Sequence, residues 1–124
     1  MRRKKTDKKK LIDKLDKWWS DRVKEDAKQT CERCGCTGKR LNSHHIYSRR
    51  YKAIRWETKN GVCLCVGCHF WIHQNIIEGA DWIKEKYSDD ILSELQIRKS
   101  NKIKTAPVFL EALLEDLTND SSSR

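Results

Sequence analysis

From Leu11 to Ala27 the apolar positions are Leu11, Ile12, Leu15, Trp18, Trp19, Val23 and Ala27. Steps of three and four put them on one side of an amphipathic helix, predicted over Asp7–Lys28, with Trp18 and Trp19 as core residues. Residues 31–64 lose that period and carry Gly35, Gly38 and Gly61. They read as turns with two short strands, near Arg40–Ile46 and Gly61–Leu64. A helix is expected from about Val66 to Glu78, carrying Phe70, Trp71, Ile76 and Ile77, with Gly79 as its stop. Ala80–Leu95 returns to a helical pattern through Trp82, Ile83, Tyr87, Ile91, Leu92 and Leu95, broken near Ser88. Pro107 suits the first turn of a last helix bearing Phe109, Leu110, Leu113, Leu114 and Leu117. The pattern is α+β: a small central region with two strands, flanked by N- and C-terminal helices.

Composition adds a constraint. In 124 residues the apolar set makes up only 37% and charged residues 36%, so material for a large core is scarce. A chain this short also buries a smaller fraction of its surface than a long one. Something besides apolar burial is expected to hold it together, and six cysteines are the obvious candidate. No apolar run approaches the roughly 18 residues a membrane helix needs, so no membrane partner is expected. The basic start MRRKKTDKKK has no apolar stretch after it and does not read as a signal peptide. A reducing cytoplasm is therefore the expected setting, where paired cysteines bind metal more often than they form disulfides.

The strongest pattern is Cys31-x2-Cys34 followed, thirty residues on, by Cys65-x2-Cys68. Two such knuckles supply four thiolates, the number and chemistry of a tetrahedral structural Zn²⁺ site. Cys36 and Cys63 are left over, and either could replace a neighbour as ligand. The commoner knuckle spacing favours Cys36 as a turn residue and Cys63 as a small apolar strand residue.

All four histidines lie between the first knuckle and residue 73. His69 and His73, four apart on the expected helix, project from one face and could share a metal ion. His44 and His45 are adjacent on an expected strand, where successive side chains point to opposite sides. One can join His69 and His73 while the other stays free to move protons. Three histidine ligands leave positions open for substrate and water, the mark of a catalytic metal. Charge agrees with such a role. The net charge is +9, and residues 1–10 and 31–77 each carry +6 while residues 78–124 carry −3. A basic block around a metal module is the footprint of a nucleic-acid binder.

His44-His45, then Asn60 after fourteen residues, His69 after eight more and His73 after three more, resembles the HNH endonucleases. The spacing is similar to that of colicin-type DNases, and the segment LNSHHIYSRRYKAIRWETKNGVCLCVGCHFWIHQ resembles the branch with two CxxC knuckles common in bacteriophages. Residues 78–117 also resemble, through scattered apolar positions, phage recombination proteins of the NinG type. The resemblance implies a ββα-metal core and hydrolysis of DNA to 5′-phosphate and 3′-hydroxyl ends. It makes His45 the general base, and His44, His69 and His73 the ligands of one catalytic divalent ion (Mg²⁺, Mn²⁺, Zn²⁺ or Ni²⁺). Asn60 would hold the connection that aims His45. Arg49, Arg50, Lys52 and Arg55, on the loop after His45, are placed to contact phosphates.

The expected organisation is a basic disordered arm at 1–10, an amphipathic helix at 11–30 and a zinc-bound nuclease core at 31–79. C-terminal helices at 80–117 and a disordered tail at 118–124 follow. DNA is the expected partner, and the apolar C-terminal helix could pair with a second copy. The expected setting is a bacterial host's cytoplasm, with a phage or mobile element as the source. A non-catalytic, zinc-stabilised nucleic-acid-binding module is the alternative.

Overall fold

The computed structural model describes residues 5–38 and 40–122, which form five helices and one two-stranded antiparallel sheet. The class is α+β. Helix α1 runs over Lys5–Asp26. It buries Leu11, Leu15, Trp19 and Val23, one stripe at four-residue steps, and spans its exposed face with Lys9–Asp13 and Lys17–Asp21 pairs. It starts inside the segment expected to be a disordered arm, because a charged run without Gly or Pro extends a helix already docked by its apolar face. The rest of that arm, residues 1–4, lies outside the described residues. Lys28 and Gln29 take left-handed backbone angles and close α1, with the Gln29 N–H returned to the Lys24 carbonyl at 2.9 Å.

Strand β1, Leu41–His45, pairs with β2, Gly61–Cys65, so that His45 faces Gly61 and Leu41 faces Cys65. The period of two divides the sheet between two cores. Cys63 enters a cluster with Leu11, Leu15, Trp19, Val23, Trp56 and Leu110. Val62 and Leu64 enter a second with Cys31, Cys65, Cys68, Ile72 and Ile83. Helices therefore cover both faces of β2, and all five of its residues are buried.

Helix α2 covers Val66–Gln74, α3 Ile76–Lys86, α4 Asp89–Arg98 and α5 Pro107–Ser122. The single helix expected over Val66–Glu78 is interrupted at Asn75, whose side chain donates to the Trp71 carbonyl at the end of α2. Gly79 is no stop: it lies buried inside α3, where a Cβ would fall 2.6 Å from Ile72 Cγ1. A glycine is needed there for helix-to-helix approach, and the expected boundary at residue 79 falls within α3. Ser88 does break the pattern, capping α4 by accepting from the Ile91 N–H. Leu110 of α5 is buried in the α1 cluster and Leu113, Leu114 and Leu117 pack against it partly buried, while Val108 and Phe109 stay exposed. Helix α5 continues to Ser122, through most of the expected tail, since no residue there forbids it. Among the described residues no helix is long and apolar enough to cross a membrane.

Candidate functional site

The sheet hairpin and the first knuckle bring the thiols together. The sulfurs of Cys31, Cys34, Cys36 and Cys65 all lie within 4.8 Å of one another. Cys34 Sγ and Cys65 Sγ are 3.8 Å apart. Two sulfurs bound at about 2.3 Å to one tetrahedral ion would be separated by about the same distance. In each knuckle the fourth residue's N–H points at the first sulfur: Cys34 N to Cys31 Sγ at 3.5 Å, Cys68 N to Cys65 Sγ at 3.4 Å. Burial pushes the Cys31 thiol up, but the N–H groups of Cys34, Cys65 and Arg33 outweigh it and bring its pKa to about 6. The donor set and spacing suit a structural metal ion such as zinc.

One part of the expected ligand set changes. Cys36 is not merely a turn residue: Gly35, at φ 78°, turns the chain so that Cys36 O accepts from Cys31 N–H and its sulfur joins the group. Cys68, expected as the fourth ligand, is not among those four sulfurs; its N–H is given to Cys65 Sγ, and its own Sγ receives a 3.5 Å hydrogen bond from Arg33, which also stacks over the Trp71 ring. Burial first, with the neighbouring thiols adding to it and the Arg33 hydrogen bond opposing it, pushes the Cys68 thiol up to about 12. The close group is thus Cys31, Cys34, Cys36 and Cys65, with Cys36 in the place expected for Cys68. Cys63 is separate and fully buried in the α1 core, as expected of an apolar strand residue.

On the α2 face of the sheet His44 meets His69 and His73. Their ligand nitrogens lie within 4.8 Å of one another, and His69 Nε2 is 3.0 Å from His73 Nε2. Two nitrogens about 2.1 Å from a shared ion, at an angle near 90°, would be about that far apart. Burial, then the neighbouring imidazoles, lower the His44 pKa to about 4, so its ring is neutral with a lone pair to give. Asn42, two residues before His44 and on the same face of β1, lies 3.2 Å from His69 Nδ1 through its amide. The three rings line a cleft of about 540 Å³ together with His45, Ser48 and Arg49.

His45 faces the other way and packs against α1. Its ring stacks on Trp19 with centroids 3.7 Å apart and planes 5° from parallel. Its Nε2 is 2.9 Å from the Arg55 carbonyl oxygen. A carbonyl only accepts, so Nε2 carries the hydrogen and Nδ1 of the neutral ring keeps its lone pair. Burial lowers the His45 pKa despite that carbonyl, favouring the neutral ring. Asp16 of α1 grips Arg55 through two oxygens, at 3.0 and 2.8 Å, and also accepts from Trp56 Nε1. The loop between the strands is tied from inside by Asn60, which is fully buried. Its Oδ1 accepts from Tyr47 N–H, and its Nδ2 donates to the carbonyls of Tyr47 and Ile54.

The basic loop residues divide. Arg49, Arg50 and Lys52 are exposed and form no ion pair among the described residues. Arg55 was expected to contact phosphates, but its side chain is only 14% exposed and is consumed by Asp16. Asp16 and Trp19 were invisible as site residues because helical spacing marked one as surface and the other as core. Asn42 could have been found, since alternation puts it beside His44. No protein-family model, curated protein or solved structure matches this chain.

Proposed function

We propose that this protein is a metal-dependent DNA endonuclease of the HNH type, with β1, β2 and α2 as its ββα-metal core. One observation carries the reading: a single cleft holds three clustered imidazoles and, separately, a fourth whose Nδ1 is left as an acceptor. When bound by His44, His69 and His73, a divalent ion supplies Lewis-acid stabilisation of charge on the scissile phosphate and the leaving 3′ oxygen. His45 Nδ1 accepts a proton from the attacking water as that water's oxygen bonds to phosphorus. The bond from phosphorus to the 3′ oxygen breaks, leaving a 5′-phosphate and, once that oxygen takes a proton from solvent, a 3′-hydroxyl. Asn60 and the Arg55 carbonyl keep the ring aimed, and Arg49 at the cleft edge meets the phosphate backbone. The thiol cluster stands apart from the chemistry and holds the fold.

Purified protein should nick or cut plasmid DNA with at least one of Mg²⁺, Mn²⁺, Zn²⁺ or Ni²⁺. Replacing His45 with Ala should abolish cleavage while DNA binding persists. Full cleavage by that variant overturns the assignment. Salt-sensitive binding with no cleavage under any of these ions would leave a nucleic-acid-binding module.

A further inference from the structure

Ion pairing sorts the cations of this surface. Arg22, Arg55, Lys59, Lys86 and Arg98 each face a carboxylate. Among the described residues Arg50 and Lys99 form no ion pair; they meet at tyrosines instead. Arg50 Nη2 donates to Tyr51 Oη at 2.9 Å, and its guanidinium carbon lies 4.9 Å from that ring's centroid. Lys99, at the C-terminal end of α4, places its ammonium 5.1 Å from the centroids of both Tyr47 and Tyr51. Two uncompensated positive charges are therefore held against one ring. Tyr47 and Tyr51 sit on the loop that leaves β1 after His45, and Arg49 of the same loop lines the histidine cleft.

Holding like charges together without a counter-charge is unfavourable by itself, and a purely solubilising surface interleaves cations with carboxylates. A polyanion passing over the loop would gain from both charges and release its counterions. The rings restrict where the cations can go, so less side-chain entropy is lost on contact. Lys99 belongs to the helical region carrying net negative charge, so nothing in the linear charge pattern marked it.

We propose that Arg50 and Lys99, held on Tyr47 and Tyr51, form a phosphate-binding shelf that extends the DNA track from the histidine cleft to the end of α4. The inference rests on the nuclease reading for its ligand. It assigns DNA contact to a segment some fifty residues beyond the loop.

The test is binding of the full chain to a fluorescent DNA duplex, without added divalent ion, across a range of salt. Lys99→Glu and Arg50→Glu should each weaken binding at least about fivefold. Each should also reduce the slope of log Kd against log salt by about one. Lys84→Glu, at an exposed α3 lysine that forms no ion pair among the described residues, makes the same change in net charge and should leave the slope unaltered. Slopes equal to wild type for Lys99→Glu, or an equal effect from Lys84→Glu, overturn the shelf. Binding that depends on Lys99 without cleavage by any divalent ion keeps the shelf and removes the nuclease. Cleavage together with Lys99-independent binding does the reverse.

Discussion

At the scale of single residues the thiol cluster makes the sharpest demand, because a tetrahedral ion takes four ligands and Cys36, not Cys68, completes the close group. Cys31 and Cys65 are fixed by their knuckle N–H groups; Cys36 lies within the close group, whereas Cys68 lies outside it and is tied to Cys65 through its N–H. Cys36→Ser and Cys68→Ser should therefore each keep one metal ion per chain by native mass spectrometry, the remaining thiol completing the set. The double variant should lose it, as should Cys31→Ser. Loss of metal in Cys68→Ser alone would show Cys36 to be a bystander. Spacing could point to Cys31, Cys34, Cys65 and Cys68, but not to Cys36. What brings Cys36 in is the left-handed turn at Gly35, a backbone angle that residue order permits without requiring. Arg55 escaped for a similar reason: its partner Asp16 lies 39 positions away.

At the scale of elements, α1 is part of the histidine site rather than a flank. Its docking depends on Gly61, opposite His45 on β2, where a Cβ would meet Val23 Cγ2 at 2.5 Å and Trp19 Cζ2 at 2.7 Å. The backbone of Gly61 is ordinary extended chain, so space and not conformation calls for glycine. Gly61→Ala should force α1 outward and cost about 1–3 kcal/mol in denaturant unfolding, the usual range for overpacking. It should also loosen the Trp19 stack, seen as a downfield shift of the His45 ring protons by NMR. Gly67→Ala, with no neighbouring atom within 4 Å of the new methyl, should do neither. The strands were legible to within a residue or two, since two short segments lie between loops rich in turn residues. Likewise the break at Ser88 was legible from its capping chemistry. The break at Asn75 was not, because apolar spacing runs through it; the non-helical backbone of Asn75, its side chain on the Trp71 carbonyl and the packing of Gly79 on Ile72 separate the two helices.

At the scale of the whole molecule, β2 joins what would otherwise be two small cores. Cys63 looks toward α1 and α5, while Val62 and Leu64 look toward α2, α3 and the cysteines. Structural zinc contributes on the order of 10 kcal/mol or more of folding free energy in small domains. Such a chain's total stability is only about 5–15 kcal/mol. Removing the ion should thus cancel most or all of the stability. It should also free β2 from one wall, and with β2 goes the surface on which α1 and α5 pack. An isolated pair of helices of 22 and 16 residues has little to keep it formed in water. A graded challenge with a strong chelator, followed by amide hydrogen exchange, should therefore show α1 and α2 losing protection at the same chelator concentration. Addition of Zn²⁺ should restore both together. Protection that persists in α1 and α5 after α2 has exchanged would mean that the apolar cluster around Leu15, Trp19 and Leu110 stands by itself. In that case the thiol site would hold only its own half of the fold.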